Sequence, residues 1–388
     1  MRILHLGKFY PPHAGGVERH LADLASAQAA SGLDVAALVH ASPHDQSRNA
    51  RSHDRGVLID PVPCHGQLVF APLSPGWPRR FSQLLRDFRP DLLHIHVPNP
   101  SAFWLLMSRA AKRLPWIVHW HADIPDDSTH PGLRIGYPVY RRFERALNDR
   151  ARAIVTTSQA YLDASRALIP VRGKCKVVPL GLADASDTVG TTPAWPGSGR
   201  RLLAVGRLSY YKGFDVLLDA VARCSGISLL LVGAGEQHVK LQAQIDALDL
   251  ASRVRLAGNL DDAELDAAYR ACDLFCLSSI DRAEAFGLVL LEAMRAGKPI
   301  VAADIPGSGV GSVVVDGETG ALVPPRDPEA LAAVLTRLAN APELREKFGA
   351  AGRARWEQHY RIDAVTRQWT EIYREVLDQA ALAPPTTG

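Results

Sequence analysis

Two carboxylates, Glu284 and Glu292, are the side chains of this sequence best placed for chemistry, because they bracket a glycine and an apolar run. The run continues to Gly297, and this pattern predicts a helix that begins near Gly287 and ends at a glycine C-cap. Glu284 would then lie in the loop before the helix, and Glu292 about two turns into it.

The start of this predicted helix suits an anion, because the backbone N–H groups of Phe286, Gly287 and Leu288 would be free there. A phosphate site with one carboxylate before it and another alongside fits a ligand that carries hydroxyls at both ends of a diphosphate. A nucleotide-sugar is such a ligand. The alternative is a solvated helix whose acidic residues only favour its N-terminal dipole.

Two further loops follow apolar strands and open helices, and both could contact a diphosphate. Arg207 and Lys212 place two cations on the loop after the strand 202–205, where they could neutralise a departing nucleoside diphosphate. Gly233 lies in the loop 232–236 and would let a ligand approach the backbone. Structural ion pairing is the alternative role for the two cations.

The first strand leads into a loop with two adjacent glycines, Gly15 and Gly16, before a helix. They would permit close backbone approach to a diphosphate or an acceptor, or they serve only a tight turn. A later strand ends in His119-Trp120-His121, whose histidines share one face by alternation. A His-x-His pair could ligate zinc, but no Cys or carboxylate cluster accompanies it, so we predict no metal site.

These loops need a scaffold, and the chain supplies short apolar strands that alternate with helical stretches. We predict an α/β fold with two parallel, doubly wound sheets, since 388 residues suit two domains. The composition of residues 183–199 indicates a linker. The predicted strands are 3–6, 35–39, 92–96, 117–120, 154–157, 176–179, 202–205, 228–232, 254–257, 274–277 and 299–302. The residues 383–388 are predicted to be disordered.

Composition indicates an ordinary soluble protein, with 47% hydrophobic and 22% charged residues and no apolar run of membrane-spanning length. The N-terminus enters a strand directly, which is unlike a signal peptide. The five cysteines include no C-x-x-C pair, so we expect a reducing, cytoplasmic compartment.

Charge is uneven along the chain. Residues 1–180 carry 23 Lys and Arg against 14 Asp and Glu, whereas the remainder carries 21 against 27. The basic half indicates an anionic partner, either lipid headgroups or a lipid diphosphate, unless its charges only solvate helix faces. No motif for nucleic acid accompanies these charges. The arginines fall in two groups: Arg79, Arg80, Arg86 and Arg89, and Arg141, Arg142, Arg145, Arg150 and Arg152.

Taken together, these motifs resemble the retaining glycosyltransferases of family 4, whose fold is GT-B. The resemblance covers nearly the whole chain. The elements that carry it are the Glu284 to Glu292 motif, the loop with Arg207 and Lys212, the segment Gly15-Gly16-Val17-Glu18-Arg19 and the stretch 316–323.

The resemblance implies two Rossmann-like domains that face each other across a cleft. Residues 1–182 would form the acceptor-side domain and residues 200–362 the donor-binding domain. A last helix, residues 363–382, would cross back to the first domain.

The resemblance also implies roles for single residues. Glu284 and His121 would lie near the donor sugar, Glu292 would accept hydrogen bonds from ribose hydroxyls, and Arg207 and Lys212 would hold the diphosphate as leaving group. The other residues expected to bind the donor are Gly15, Gly16, Gly233, Asn259, Phe286, Gly287 and Leu288.

We therefore predict an enzyme that moves a hexosyl unit, with mannosyl as the leading candidate, from a nucleoside diphosphate sugar to a hydroxyl of a lipid-linked or oligosaccharide acceptor. The segments 282–287 and 305–310 are similar to members that build bacterial surface polysaccharides. GDP-mannose is the leading donor, with UDP-hexoses close behind. No cofactor is expected: Asp-x-Asp is absent from the sequence, which favours catalysis without a metal. A peripheral location on the inner face of the cell membrane fits the basic half.

Two alternatives remain. A nucleotide-sugar 2-epimerase of GT-B fold would act on the donor alone. A non-catalytic subunit would bind a nucleotide-sugar without turning it over.

Overall fold

Two compact units make up the chain in the computed structural model, which describes residues 1–13, 15–41, 50–68, 71–124, 131–185 and 190–382. The first unit comprises residues 1–157, 165–181 and the chain from Ile362 onward; the second comprises residues 158–164 and 182–361. Part of the predicted linker, residues 186–189, and the predicted disordered tail, residues 383–388, lie outside the described residues.

The first unit is built on an eight-stranded sheet and a two-stranded ribbon. Its strands are β1 (Arg2–Leu6), β2 (Asp34–His40), β3 (Ser52–Asp54), β4 (Val57–Val62), β5 (Gln67–Leu68), β6 (Ala71–Pro72), β7 (Leu92–Val97), β8 (Trp116–Trp120), β9 (Ala153–Thr156) and β10 (Cys175–Val177). The sheet order is β10-β9-β8-β7-β1-β2-β4-β3, parallel except for β3 against β4. The ribbon pairs β5 with β6.

Helices connect these strands, as parallel pairing requires. They are α1 (Gly16–Ala30), α2 (Trp77–Phe88), α3 (Arg109–Lys112) and α4 (Pro131–Arg150), with 3-10 turns at Pro100–Met107 and Ile169–Lys174. The central strands are buried along their whole length: every residue of β7 is buried, and so is every residue of β8. Sheets covered on both faces have this character.

The second unit repeats the plan with a fully parallel six-stranded sheet of order β13-β12-β11-β14-β15-β16. Its strands are β11 (Arg200–Val205), β12 (Ile227–Val232), β13 (Val254–Gly258), β14 (Leu274–Leu277), β15 (Ile300–Ala303) and β16 (Gly320–Val323). Its helices are α5 (Gln159–Ala164), α6 (Phe214–Arg223), α7 (His238–Ala247), α8 (Asp262–Ala271), α9 (Leu288–Arg295), α10 (Val310–Val313), α11 (Pro328–Asn340) and α12 (Pro342–His359), with a 3-10 turn at Tyr210–Lys212.

The last helix, α13 (Ile362–Leu382), belongs to the first unit although it follows the second in the chain. Its apolar face, with Val365, Trp369 and Tyr373, joins the core formed by Ile3 of β1 and Leu92 of β7.

The predicted α/β fold with two parallel-sheet units is confirmed. None of the described helices combines the length and apolar character that a membrane crossing requires.

Candidate active site

The strand order of the second unit creates a topological switch point between β11 and β14. These two strands pair with each other, while the chain continues from β11 toward β12 on the opposite side. Ligands of doubly wound sheets bind beyond the carboxyl ends of the strands at such a point. Lys212 lies in the loop after β11, and Glu284 lies in the loop after β14.

The two loops meet in an ion pair. The Lys212 ammonium donates to Oε2 of Glu284 at 2.6 Å, and both side chains are only 9% exposed. The Ser279 hydroxyl donates to the same oxygen at 2.7 Å. Both contacts use Oε2, and none of the described side chains bonds Oε1 of Glu284, which leaves that oxygen for a ligand hydroxyl. Burial disfavours the ammonium form, but the Glu284 carboxylate outweighs it and raises the pKa of Lys212, so the cation stays charged.

Arg207 differs from Lys212 in its surroundings. It is exposed, and the described residues offer its guanidinium no carboxylate. It lies close enough to Lys212 for its charge to oppose ionisation of that ammonium. The loop therefore presents one buried cation and one solvent-facing cation at the carboxyl end of the sheet.

Gly233 brings the loop after β12 against the loop after β11. Its φ of 134° is in the region that favours glycine, and a Cβ there would lie 2.0 Å from the carbonyl oxygen of Gly206. Its N–H donates to the carbonyl of Gly258 at 2.8 Å. Asn259, exposed, follows directly. Three strand ends are thus drawn together at the edge of the sheet where Lys212 lies.

The predicted helix is α9, which begins at Leu288 after an N-cap at Gly287. Glu292 lies in its second turn and is half-buried; the Tyr269 hydroxyl donates to its Oε2 at 2.7 Å. Burial, and then the neighbouring Glu292 carboxylate, raises the pKa of Tyr269, which remains a donor. The side chain of Phe286 is buried, so that residue offers a ligand its backbone.

Gly15 and Gly16 lie at the start of α1, in the first unit. Both are exposed, α1 begins at Gly16, and the carbonyl of Gly15 accepts from the N–H of Arg19 at 3.0 Å. The carboxylate of Glu18, in the first turn of this fifteen-residue helix, lies against Gly15, where an added Cβ would be 2.0 Å from Glu18 Oε2.

His121 follows β8 directly and is 4% exposed. Its ring stacks on that of His119, with centroids 3.9 Å apart. Both belong to a cluster of buried histidines in the first unit, whose other members are His5, His20, His94 and His96. Burial lowers the pKa of every member, so the rings are neutral at pH 7.

Two histidine triads in this cluster have the spacing of metal ligands: His5 with His94 and His96, and His96 with His119 and His121. Several of their ring nitrogens already bond one another. His96 Nδ1 is 2.9 Å from His121 Nε2, and His96 Nε2 is 3.0 Å from His5 Nδ1. The cluster is therefore a hydrogen-bonded network of imidazoles.

Several residues of these sites were not predicted from the sequence. Ser279 and Tyr269 carry no motif of their own. For the histidines a signal was present, because His94-Ile95-His96 repeats the His-x-His spacing on a neighbouring strand, and β7 pairs with β8 in parallel with His96 opposite His119. Two such strands place four imidazoles on one face.

Comparison with known proteins identifies the family of the chain. The profile of the glycosyl transferases group 1 family matches residues 192–355, and that of the glycosyl transferase 4-like domain matches residues 15–181. Phosphatidyl-myo-inositol mannosyltransferase of Mycobacterium leprae is 33% identical, with 93% of each chain covered. O-antigen chain mannosyltransferase C of Escherichia coli is 28% identical, covering 97% of this chain and 99% of its own.

Among solved structures, the sucrose-phosphate synthase of Thermosynechococcus elongatus matches with a TM-score of 0.81 at 22% identity, covering 97% of this chain and 99% of that one. Anabaena HepE in complex with UDP-glucose matches with a TM-score of 0.72 at 23% identity, covering 97% and 100%. Both likenesses concern the fold, which is GT-B.

The fold and these relatives define the protein as a glycosyltransferase that transfers a hexosyl unit. The chain belongs to the glycosyl transferases group 1 family, with a 4-like domain as its N-terminal half.

Proposed function

We propose that this enzyme transfers a mannosyl unit, with retention of anomeric configuration, from GDP-mannose to a hydroxyl of a lipid-linked saccharide at the cytoplasmic face of a membrane. The observation that carries the proposal is the buried pair of Lys212 and Glu284 at the switch point, with Arg207 exposed beside it. A fixed cation paired to a carboxylate supplies both a diphosphate contact and an acceptor for a sugar hydroxyl.

In the proposed reaction, the acceptor hydroxyl oxygen bonds to the anomeric carbon on the face that the diphosphate leaves. The bond from the anomeric carbon to the phosphate oxygen breaks, and that oxygen takes the hydroxyl proton. Arg207 and Lys212 stabilise the growing negative charge of the nucleoside diphosphate. The Oε1 of Glu284 accepts from a donor-sugar hydroxyl, Glu292 accepts from the ribose, and no metal is required.

Mannose as the transferred sugar is supported by the names of two relatives, an O-antigen chain mannosyltransferase and a phosphatidyl-myo-inositol mannosyltransferase. A third relative, 30% identical, is named a D-rhamnosyltransferase of Pseudomonas aeruginosa. Solved neighbours carry UDP or UDP-glucose, so UDP-hexoses are the competing donors.

An anionic acceptor is supported by a cavity of about 330 Å³ in the first unit. Four arginines line it, Arg141, Arg142, Arg145 and Arg166, and apolar Val139 and Phe143 are exposed on the same helix as the first three. Cations beside exposed apolar side chains suit a phosphate-bearing lipid at a membrane surface. The other group of arginines predicted from the sequence lies on and just after α2. Arg80 of this group pairs with the buried Asp60, whereas Arg79, Arg86 and Arg89 are exposed.

A thermal-shift titration against GDP, UDP, ADP and dTDP, each with its common sugars, tests the donor. Ligand binding raises the melting temperature according to affinity and concentration. We expect the largest shift with GDP and GDP-mannose. A shift with UDP-sugars alone would replace the donor, and no shift with any nucleotide would contradict nucleotide-sugar binding by the isolated chain.

Acceptor and membrane are tested separately. Flotation with vesicles of neutral phosphatidylcholine, with and without anionic phosphatidylglycerol, should show binding only to the anionic vesicles. Arg142→Ser combined with Arg145→Ser should weaken it, and Arg223→Ser combined with Arg337→Ser in the second unit is the matched control. Equal binding to neutral vesicles would contradict the electrostatic basis. Turnover of UDP-N-acetylglucosamine without any acceptor would indicate the epimerase instead.

A further inference from the structure

Gln28 is an amide in the core of the first unit, and it joins the histidine cluster to α13. It lies on α1 and is fully buried. Its Oε1 lies 2.8 Å from His5 Nε2, and its Nε2 donates to the Tyr373 hydroxyl at 2.8 Å. Two branches of hydrogen bonds therefore start at this one side chain.

The first branch runs through His5 and His96 to His121. A neutral imidazole has one N–H and one lone pair, so each bond fixes the next ring. Gln28 Oε1 can only accept, so His5 carries its proton on Nε2 and accepts at Nδ1 from His96 Nε2–H at 3.0 Å. His96 Nδ1 then accepts from His121 Nε2–H at 2.9 Å. His121 is left with a lone pair on Nδ1.

The second branch runs through Tyr373 and His94 to His119. The amide N–H of Gln28 donates to the Tyr373 oxygen, so that hydroxyl donates its own proton to His94 Nδ1 at 2.6 Å. His94 Nε2–H then donates to His119 Nδ1 at 3.2 Å. His119 is left with a proton on Nε2.

The two branches end side by side with opposite polarity. Neither His121 Nδ1 nor His119 Nε2 has a hydrogen-bond partner among the described residues, although both atoms are buried, and the two rings are stacked. A carboxamide accepts at one end and donates at the other, so the ends must differ. Buried polar atoms of this kind are normally satisfied, which indicates that a ligand group completes the network.

A third nitrogen lies nearby. The Nδ1 of His20 is 3.3 Å from the carbonyl oxygen of Gly181, which can only accept, so His20 Nε2 bears a lone pair and also lacks a partner among the described residues. The centroid of the His20 ring is 5.5 Å from that of His119 and 6.1 Å from that of His121. With one donor and two acceptors offered, a hydroxyl can accept from His119 and donate its single proton to one of the two lone pairs.

We propose that Gln28 is a positioning residue that fixes His121 in the tautomer protonated on Nε2, so that its Nδ1 accepts a hydrogen bond from a sugar hydroxyl. The identity of that hydroxyl rests on the proposed function; the tautomer does not. A metal ion at the His96, His119 and His121 triad would require other tautomers, because only His121 of the three has a free lone pair in this network, and that outcome is included in the test.

The test is NMR of the full chain labelled with ¹⁵N in histidine, because couplings within the ring report which nitrogen carries the proton. Wild-type protein should show His5, His94, His96, His119 and His121 protonated on Nε2, and His20 on Nδ1. Protonation of His121 on Nδ1 in the wild type would overturn the proposal. So would stoichiometric zinc that survives purification in a chelator, since the metal would take the lone pairs.

Two substitutions at residue 28 separate the branches. Gln28→Glu offers an acceptor to both branches. His121 should keep its proton on Nε2, whereas Tyr373 turns its hydroxyl toward residue 28, and His94 and His119 move their protons to Nδ1. Gln28→Met offers neither donor nor acceptor, so His121 should show both tautomers. Tyr373→Phe is the matched control: it cuts only the second branch and should leave the His121 signals in place.

Kinetics tie the tautomer to function. Gln28→Met should lower kcat/KM for transfer by about tenfold, the worth of one directed hydrogen bond, and Gln28→Glu should restore most of that loss. Equal losses in both variants would overturn the role of the His121 tautomer. If Gln28→Met does not fold, the tautomers of the wild type and of Gln28→Glu still decide.

The outcomes also separate this proposal from the proposed function. If the wild type binds no nucleotide, the proposed function is contradicted, whereas the NMR result for the tautomers still stands. A wrong tautomer in an active wild-type enzyme would remove only the role of Gln28.

Discussion

The paired residues Lys212 and Glu284 show how one side chain can carry both stability and chemistry. Their ion pair is buried, and removing one partner of such a pair leaves an uncompensated charge, at a cost of about 3–5 kcal/mol. Arg207 has no such structural duty, because it is exposed and the described residues give it no carboxylate. The two cations of the loop should therefore respond differently to substitution.

Arg207→Ala should lower kcat by about two to three orders of magnitude through lost leaving-group stabilisation, while the melting temperature stays unchanged. Lys212→Met should lower both kcat and the melting temperature. Transfer assays and thermal melts measure the two effects. Lys240→Ala, at an α7 residue whose exposed side chain pairs with Asp215 of α6, is the control and should change neither kcat nor the melting temperature. Near-normal turnover of Arg207→Ala would contradict its diphosphate role.

Glu292 has a different partner, the hydroxyl of Tyr269. Glu292→Ala should weaken the affinity for free nucleotide about tenfold or more, because a carboxylate that accepts from a ribose is lost, and it should slow the chemical step less. Titration calorimetry with the nucleoside diphosphate gives the affinity. Tyr269→Phe should fall between the wild type and Glu292→Ala, since the carboxylate stays but is less fixed. An unchanged affinity in Glu292→Ala would remove the ribose role.

The start of α9 depends on a conformation that most residues avoid. Gly287 has φ of 83°, and an added Cβ would lie 2.9 Å from Leu290 and 3.1 Å from Leu277. This turn is what places Glu284 before the helix and Glu292 within it. A change in the backbone at Gly287 should therefore displace both carboxylates.

Gly287→Ala should cost about 1–2 kcal/mol for the left-handed backbone, with a further penalty for crowding, and should reduce nucleotide affinity. Urea unfolding measures the loss of stability, and titration calorimetry measures the nucleotide affinity. Gly317→Ala is a matched control, since Gly317 has φ of 73° but open space around its Cα. It should show only the backbone cost. Equal unfolding free energies for the two variants would mean that packing around Gly287 is not tight.

The buried histidines give the whole protein an acid-sensitive first unit. Seven histidines described in that unit are buried: His5, His20, His40, His94, His96, His119 and His121. Burial lowers the pKa of three of them, His5, His20 and His40, to about 4. The unfolded chain therefore binds more protons than the folded one below pH 6.5.

Above pH 6.5 the buried histidines make their full contribution to the free energy of unfolding. As the pH drops toward about 4, this free energy should fall by about 1.4 kcal/mol per pH unit for each buried histidine. Glu144 acts in the opposite direction: burial and then the charge of Asp123 raise its pKa to about 7, so its neutral form favours the fold as the pH falls. One carboxyl offsets only one histidine. Urea unfolding between pH 7.5 and 5 measures the slope.

His40→Gln should remove one histidine's share of this slope, because His40 lies apart from the network and bonds Ser74 through Nδ1 at 2.8 Å. His238→Gln, at an exposed residue of α7, should leave the slope unchanged. A free energy of unfolding that stays constant in the wild type between pH 6.5 and 5 would contradict the neutral, buried state of these rings.

The predicted strands all appear in the structure, within a few residues of the expected bounds. Buried parallel strands are short apolar runs, so they can be recognised from residues close together in the chain. The strands that were missed lack this signal. β3 is short and mostly exposed, and β4 contains Asp60 and Pro61. β16 begins at a glycine in a segment identified only through its resemblance.

Local patterns were sufficient for the α/β class, the start of α9 and the loop with Arg207 and Lys212, since each depends on residues close together in the chain. They could not reveal that Lys212 bonds Glu284, or that Gln28 reaches Tyr373 across 345 residues. Nor could they reveal that six histidines, on or directly after three strands and on one helix, form one network. Such contacts depend on strand order and on which helix face meets the sheet, and periodicity within one element carries no information about either.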